Sequence, residues 1–349
     1  MTETIKSGDH SGARQDFYRQ LQAESMSPLW ENLRELVPLT PAGAAVAAKW
    51  DYEGIVRPHL MTSANLISAE EAERRVLILE NPGLSGAASI TSSLYAGVQL
   101  IMPGERARAH RHTQSALRFI IEGSGAYTTV EGERTLMRPG DFVLTPSWTW
   151  HDHGNETDQP MVWLDGLDIP LVRFFKAGFA ENSLHETQIM HKAVGDSVYR
   201  YGNNLLPVDW RSERPHSPLV SYPYDRTRES LDRVRRVDAP DPCHGFKMRF
   251  INPATGGYPM PTIGAFMQLL PAGFAGERYC STDGTVFSVA EGSGETHVGD
   301  QILRWKARDI FVVPGWASHS HHATTDAVLF SYSDRPAQIS LGIWREMRQ

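Results

Sequence analysis

The sequence predicts an all-β fold made of two barrels, with a helical region before the first barrel and a partly helical connector between them. Short runs of strand-forming residues, separated by glycine-containing turns, fill residues 91–175 and 258–349, which is the spacing typical of antiparallel barrels. The second segment also repeats the first, since EGSG at 122–125 matches EGSG at 291–294, and PSWTWH at 146–151 matches PGWASH at 314–319. We therefore expect an internal duplication, with residues 1–90 as the N-terminal region and residues 176–257 as the connector.

The N-terminal region is expected to be helical. Residues 15–36 carry apolar side chains at helical spacing, and Ser27-Pro28 should divide them into two short helices. A further helix should begin at Ala69, because Ser68 is a good N-cap and the acidic residues that follow it favour the positive end of a helix. The run Asn81-Pro82-Gly83 should end that helix.

The first barrel and the connector show different patterns. Turns are expected at 123–125 and 131–133, and strand-forming runs occupy 94–102, 117–122, 126–130, 142–145 and 161–167. In the connector we predict helices at 184–195 and 225–236, and prolines between 207 and 242 interrupt the remainder.

Size and composition exclude several classes of protein. A chain of 349 residues exceeds the usual size of one domain, so two cores are expected. The formal net charge is −7 and no basic block is present, which argues against a nucleic acid partner. Two isolated cysteines predict no disulfide framework and suit a reducing cytoplasm. Residues 1–14 are polar and no run of about 18 apolar residues occurs, so we expect neither secretion nor a membrane contact.

A metal site is predicted by three histidines. If His110 and His112 lie on a strand, Arg111 points to the opposite face and both imidazoles project to the same side, about 6–7 Å apart at the backbone. His151 follows 39 residues after His112, in a second strand-like segment. These two segments resemble the signature motifs of cupins, which implies two double-stranded β-helix (jelly-roll) barrels, a bicupin. Cupins with a full ligand set place a glutamate where this chain has Ala116 and Leu117, so three neutral histidines are left.

The second barrel is expected to hold no metal. In register with the first barrel, Tyr279 and Ser281 stand where His110 and His112 would stand, and only His319 remains of the triad. His321 and His322 could form a weak site, but the loss of two strand ligands removes the geometry. The second barrel would then serve packing and oligomer contacts.

Further polar side chains should surround the metal. Strand parity places Arg118 on the face of His110 and His112 and His153 on the face of His151. By the same parity, Tyr95, Gly97 and Gln99 share one face, and Trp163 and Asp165 share another. A buried arginine beside a dication is costly unless an anion joins it, and a carboxylate substrate would meet that need. Alternatively, Arg118 points outward or pairs with Glu122 or Asp165, and Tyr95 and Trp163 are ordinary core residues. Spacing alone does not choose among Fe(II), Zn, Ni, Cu and Mn.

These segments resemble the gentisate 1,2-dioxygenase family, which includes salicylate and 1-hydroxy-2-naphthoate dioxygenases. The likeness is carried by NPGL at 81–84, LYAGVQ at 94–99, PGERARAHRHTQSALR at 103–118 and WTWHDHG at 148–154. It implies an Fe(II) enzyme and a homotetramer, with His110, His112 and His151 as ligands. The substrate would chelate through its carboxylate and adjacent hydroxyl beside O2, and its ring would open between the carbons that bear them, so that gentisate gives maleylpyruvate.

The resemblance also implies roles for the neighbouring residues. Arg118 and Gln99 would orient the carboxylate, while His153 and Asp165 would meet substrate or reactive oxygen. Tyr95 and Gly97 lie where the family tunes substrate choice. Arg74, on the helix before the barrel, could reach the pocket, although Arg75 beside it leaves that assignment open.

Three other functions remain open at this stage. The chain could instead cleave salicylate or 1-hydroxy-2-naphthoate within the same family. It could be a non-catalytic bicupin that binds a metal or a ligand. It could also be another cupin enzyme, an isomerase or a decarboxylase, although those usually need the carboxylate ligand that Ala116 and Leu117 do not supply.

Overall fold

The computed structural model describes residues 11–212 and 214–349 and divides the chain into two compact units. The first unit, which runs to Ala42, contains helices α1 (Ser11–Ala23) and α2 (Leu29–Leu36). Pro28 lies at the start of α2, as the sequence predicted. Most of the polar segment 1–14 lies outside the described residues. No helix in the described part of the chain is long and apolar enough to cross a membrane.

The second unit begins at Gly43 with elements that precede the first barrel. These are β1 (Ala48–Trp50), a π-helical turn (Tyr52–Val56), α3 (Arg57–Leu66), α4 (Ala69–Ala72), β2 (Arg75–Ile78) and a 3₁₀ turn (Pro82–Leu84). The helix predicted from Ala69 to Asn81 is therefore wrong after its first turn. Ser68 caps it by accepting a hydrogen bond from the Glu71 amide at 3.1 Å, but Glu73 adopts a φ of +51° and ends it. The chain then continues as β2, whose apolar residues favour a strand.

The first barrel consists of two facing antiparallel sheets. Its elements are β3 (Tyr95–Ile101), β4 (Arg106–His112), β5 (Ala116–Glu122), β6 (Tyr127–Val130), β7 (Glu133–Leu136), β8 (Phe142–Thr145), β9 (His151–Gly154), β10 (Met161–Leu167), α5 (Ile169–Phe174) and β11 (Ala180–Asn182). All five predicted strand runs are present. The sheet of β11, β4, β9, β6 and β7, in that order, carries the histidines.

The connector contains α6 (Asp196–Tyr201), β12 (Ser221–Tyr222), α7 (Tyr224–Val237) and β13 (Phe246–Arg249). Helix α7 matches the prediction for 225–236, but the helix predicted for 184–195 is absent. That segment instead runs along the first barrel, where the Ala109 amide donates to the Glu186 carbonyl at 2.8 Å and the Ser183 amide donates to Ala109 at 2.9 Å. Its backbone groups find partners on the barrel, so a helix is not needed to satisfy them.

The second barrel repeats the first strand by strand. Its elements are β14 (Gly264–Leu270), β15 (Tyr279–Ser281), β16 (Thr285–Glu291), β17 (Ser293–Val298), β18 (Gln301–Lys306), β19 (Ile310–Val313), β20 (His319–Ala323), β21 (Ala327–Ser333), α8 (Arg335–Ser340) and β22 (Glu346–Arg348). The order β12-β8-β5-β10-β3-β2 in one six-stranded sheet corresponds to β1-β19-β16-β21-β14-β13 in the other. The bicupin fold predicted from the duplication is confirmed.

The two six-stranded sheets share one apolar core. Phe119 of β5 stacks on Phe330 of β21, with ring centroids 4.3 Å apart and an interplanar angle of 4°. Both rings are almost fully buried, and burial of one such side chain stabilises the fold by about 1.5–3 kcal/mol. Smaller apolar clusters lie inside each barrel, around Trp163 in the first and around Phe287 in the second.

Candidate metal centre

Three histidines converge inside the first barrel. His110 and His112 lie on β4, and His151 lies on β9 directly opposite His110. One nitrogen of each ring lies within 4.8 Å of one nitrogen of the other two. Arg111 points the other way, between the rings of Trp148 and Trp150, with its guanidinium carbon 4.4 Å and 4.6 Å from their centroids. The alternation expected for a strand is therefore present.

The hydrogen bonds of the three rings leave the same nitrogen free in each. The Nδ1 atoms of His110, His112 and His151 lie 3.0, 2.9 and 2.9 Å from the carbonyls of Arg108, Gln114 and Thr149. A carbonyl only accepts, so each Nδ1 carries the proton and each Nε2 carries a lone pair. Among the described residues, the buried Nε2 of His151 has no hydrogen-bond partner. Three lone pairs that face one point fit a metal ion.

Burial keeps these imidazoles neutral. It is the main cause that lowers the pKa of His110 to about 3 and that of His112 to about 4, and it lowers the pKa of His151 well below its usual value. Metal ligation needs the neutral form. No carboxylate joins the set, since Ala116 and Leu117 occupy the relevant stretch of β5.

Arg118 and Asp165 form a buried ion pair beside the histidines. They lie opposite each other on β5 and β10, with Arg118 Nε 3.3 Å from Asp165 Oδ1. Arg118 also donates to Thr145 Oγ1 at 3.0 Å, and Trp163 Nε1 donates to Asp165 at 3.0 Å. The sequence left open whether Arg118 faces the interior of the barrel or pairs with an acid. In the structure it does both.

The charge balance of this pair matters for ligand binding. Burial raises the pKa of Asp165 to about 6, although Arg118 opposes the shift. Arg118 also helps to lower the pKa values of His110, His112 and His151, so its charge reaches the metal cluster. A dication and a guanidinium against one carboxylate leave an excess of positive charge, which an anion would balance.

His153 presents one nitrogen to the interior. Its Nδ1 lies 2.9 Å from Thr128 Oγ1, and its buried Nε2 has no hydrogen-bond partner in the part of the chain that the structure describes. Its ring centroid lies 5.7 Å from that of His151 and 5.7 Å from that of Trp163. Thr128 was not singled out in the sequence, because a threonine on a strand gives no signal of its own.

Strand β3 supplies the three remaining predicted residues of the wall. Gln99 is buried opposite Trp163, and Gly97 lies opposite Asp165. A Cβ atom at Gly97 would lie 2.6 Å from the hydroxyl of Tyr95, so glycine lets the phenol lie over the strand. Burial raises the pKa of that phenol.

The structure distinguishes Arg74 from Arg75. Arg75 is buried in an ion pair with Glu105, Nη1 to Oε2 at 2.8 Å, and donates to the carbonyl of Ile67. Arg74 follows α4 rather than lying on a helix, which corrects the sequence-based placement. Burial is the main cause that lowers the pKa of Arg74, and its charge interacts with Asp165 and lowers the pKa of His110. Arg74 is therefore the arginine near the cluster.

One residue near this site comes from the second barrel. Tyr332 of β21 is fully buried and donates a hydrogen bond to the backbone carbonyl of Tyr95 at 2.9 Å. It also packs under Gly166, where a Cβ would lie 2.7 Å from its ring. Sequence reasoning missed this residue because nothing in a single strand indicates which barrel it contacts.

Comparison with known proteins agrees with this fold. Residues 97–167 match the family model described as a cupin domain. A gentisate 1,2 dioxygenase 1 from Aquipseudomonas alcaligenes is 53% identical over 335 residues, 96% of each chain. A 1-hydroxy-2-naphthoate 1,2-dioxygenase from Nocardioides sp. strain KP7 is 32% identical, covering 88% of this chain and 80% of that protein. A crystal structure of salicylate 1,2-dioxygenase from Pseudoaminobacter salicylatoxidans, described as adducts with gentisate, has a TM-score of 0.91 at 34% identity, covering 100% of this chain and 97% of that one.

The fold and the histidine cluster define a bicupin with one triad of possible metal ligands among the described residues. The chain belongs to the gentisate 1,2-dioxygenase family and is a ring-cleaving dioxygenase. The resemblance predicted from the sequence motifs is confirmed, and a non-catalytic bicupin is no longer a competing interpretation.

Proposed function

We propose that the substrate is gentisate and that the chain opens its ring with O2, as an extradiol-type dioxygenase, to give maleylpyruvate. The bond between the carboxyl-bearing carbon and the adjacent hydroxyl-bearing carbon breaks, and both oxygen atoms of O2 enter the product. The observation that carries the proposal is the buried Arg118–Asp165 pair beside three histidine nitrogens that converge. An excess of positive charge next to a tridentate metal site suits a chelating hydroxy acid.

We propose iron(II) as the metal, held by Nε2 of His110, His112 and His151. Three imidazoles leave coordination positions open for two substrate oxygens and O2. When bound, the metal supplies a template and an electron conduit between ring and O2, which turns an encounter of two molecules into a reaction within one site.

The residues around the metal would then position the substrate. Arg118 and Gln99 would hold its carboxylate, and Arg74 would add a positive charge at the same side. A guanidinium–carboxylate hydrogen bond contributes about 1.5–3 kcal/mol.

His153 would present an acceptor nitrogen to the pocket. Thr128 Oγ1 donates to the sulfur of Met137 at 3.3 Å, so its oxygen accepts from Nδ1 of His153 at 2.9 Å. Nδ1 then carries the proton of the neutral ring, and Nε2 carries a lone pair. That nitrogen would accept a hydrogen bond or a proton from substrate or oxygen, while Asp165 would meet them as a carboxylate held by Arg118 and Trp163.

Tyr95 and Gly97 would set the choice of ring substituents. The hydroxyl of Tyr95 lies over Gly97 and limits the space at that wall. Relatives act on gentisate, on 5-aminosalicylate and on 1-hydroxy-2-naphthoate according to their names, so salicylate and the hydroxynaphthoate are the alternative substrates.

We further propose that the chain works as a cytoplasmic homotetramer with domain limits 1–90, 91–175, 176–257 and 258–349. The connector supports contacts between subunits, since several of its large apolar side chains are exposed: Phe179 by 60%, Leu184 by 96% and Val208 by 92%. Such exposure on one segment is typical of a surface that another chain covers.

Anaerobic loading with Fe(II), followed by O2 uptake with gentisate, salicylate and 1-hydroxy-2-naphthoate, tests the proposal. Fast uptake with gentisate and a new enol-type absorbance is expected. Uptake with the other two acids but not with gentisate would contradict the substrate, and uptake that is equal with Fe(II) and Zn would contradict the metal. His319→Ala is the matched control for each histidine variant, because it removes a histidine from the equivalent strand of the other barrel.

A further inference from the structure

The second barrel keeps a polar interior where the first barrel has its metal cluster. His319 and His321 of β20 occupy the places of His151 and His153, and their ring centroids lie 5.4 Å apart. Thr296 lies 2.9 Å from Nδ1 of His321, as Thr128 does from His153. Tyr279 stands where His110 would stand and pairs with His319. Because Tyr279 replaces a histidine, these groups do not form the same metal site. Their role therefore needs another explanation.

Two buried side chains in this interior lack hydrogen bonds. Gln268 of β14 is fully buried, and neither its amide nitrogen nor its oxygen has a hydrogen-bond partner among residues 11–212 and 214–349. Ser331 of β21 is also fully buried, and its hydroxyl has no partner in that part of the chain. An unsatisfied buried polar group costs about 1–3 kcal/mol, so two of them in one place indicate a missing ligand.

Both side chains face the inside of the barrel. Ser331 lies opposite Phe287, whose ring centroid is 5.1 Å from that of His321 on the other sheet. Gln268 and Phe266 are two residues apart on β14, so their side chains point to the same face of the sheet. Phe266 lies opposite Ser331 of β21, so Ser331 also points to that face. In the first barrel the same positions hold Gln99 and Asp165.

Lys247 brings a positive charge to this place. It lies on β13 directly opposite Gln268, so both side chains point to the same face. Within the described chain its ammonium forms no hydrogen bond or ion pair, and it lies 5.1 Å from the ring centroid of Phe266. Burial and then Arg335 lower its pKa to about 7, and its charge helps to lower the pKa values of His319 and His321. The lysine is thus close to the histidines.

The other charged groups nearby are already paired. Arg335 lies 3.2 Å from Asp283, and the hydroxyl of Tyr279 donates to Glu346 at 2.9 Å. His244 packs on Tyr279 with ring centroids 4.5 Å apart. Below about pH 7 one unpaired ammonium is left, which calls for one negative charge.

His321 adds a polar ring to this interior. Its Nδ1 lies 2.9 Å from Thr296 Oγ1, which also accepts from Trp305 Nε1 at 2.9 Å. The interior therefore offers an ammonium, an amide and a hydroxyl that can donate, beside a buried imidazole.

We propose that the second barrel binds a small monocarboxylate, held by Lys247, Gln268 and Ser331. A carboxylate has one charge to match the lysine and two oxygens to accept from the other donors. This site is separate from the metal centre and does not depend on the substrate proposed for it.

Fluorine NMR of the metal-loaded full chain, titrated anaerobically with fluoroacetate, tests this site. Fluoroacetamide has nearly the same shape without the charge and serves as the control ligand. We expect Lys247→Met to remove one fluoroacetate site per chain and to leave any binding at the metal unchanged. Fluoroacetamide should not occupy the site. Lys247→Met should also raise the unfolding temperature in the absence of ligand, because an unpaired buried ammonium is lost.

A second variant keeps the test decisive if Lys247→Met does not fold. Gln268→Leu preserves the charge but removes the amide, and we expect it to weaken fluoroacetate binding by roughly 10-fold. Gentisate turnover should persist in both variants, since they lie outside the first barrel. Equal fluoroacetate stoichiometry and affinity in the wild type and in the variants would overturn the proposal, as would equal binding of fluoroacetamide.

Discussion

Replacement of Arg118 by methionine should separate the structural role of this residue from its role in binding. Methionine fills similar space without charge, so Asp165 loses the cation 3.3 Å away and keeps only the hydrogen bond from Trp163. Breaking a buried ion pair by removing one partner costs about 3–5 kcal/mol. We expect the free energy of unfolding at pH 8 to fall by about that amount.

The pH dependence of this loss follows from the pKa of Asp165, which is already raised to about 6. Arg118 lowers that pKa, so the variant should raise it further. A carboxyl whose pKa is raised in the folded state binds its proton more tightly there, so its contribution is retained at low pH and lost as pH rises through the folded pKa. The variant should therefore lose less stability at pH 5.5 than at pH 8 in denaturant titrations.

The double variant Arg118→Met with Asp165→Asn provides the control. Asparagine can still accept from Trp163 but carries no charge, so most of the lost stability should return. Anaerobic gentisate affinity, measured by calorimetry on the iron-loaded protein, should stay roughly 10- to 100-fold weaker in both variants. If the double variant regains normal affinity, or if Arg118→Met never loses it, Arg118 does not hold the carboxylate.

Three further predictions concern the metal and the wall of the pocket. His112→Ala should abolish iron binding and turnover. His319→Ala should keep the iron content near one per chain by elemental analysis. Two irons per wild-type chain would contradict a single site. Gly97→Ala should destabilise the fold by about 1–3 kcal/mol or displace Tyr95, because its Cβ would lie 2.6 Å from both the Tyr95 hydroxyl and Val76 Cγ1. An unchanged unfolding temperature together with an unchanged ratio of gentisate to salicylate turnover would contradict that contact. Metal uptake at pH 8 should release few protons, since the pKa of His112 is about 4 and Asp165, whose pKa is about 6, is already ionised there, so heats measured in buffers of different ionisation enthalpy should agree.

The metal ligands could be predicted from the sequence because strand periodicity alone determines which side chains share a face. His110, Arg111 and His112 alternate in the structure as a strand requires. The internal duplication could also be predicted from the sequence. The structure agrees with it, since Tyr279 pairs with His319 as His110 pairs with His151.

Other features could not be predicted, because they depend on pairing between distant segments. The register of β4 against β9 shifts between Ala107 and His110, and after the shift His110 pairs with His151. The predicted helix at 184–195 fails because the barrel edge offers that segment hydrogen-bond partners, among them Ala109. The conformational propensity of the local sequence indicates neither the register shift nor these hydrogen bonds.

The two barrels differ in a coordinated way, which explains why only one carries the chemistry. Where the first barrel has Arg118, the second has Phe287, whose ring stacks on Phe311 at 4.7 Å. Where the first has Asp165, the second has the uncharged Ser331. A buried arginine is costly unless an anion and a counterion accompany it, so a barrel without ligands for a metal gains from replacing the pair by an apolar ring. The charge pair and the histidine cluster therefore belong to one functional unit, and a variant that restores only the two missing histidines at positions 279 and 281 should not create a second dioxygenase site.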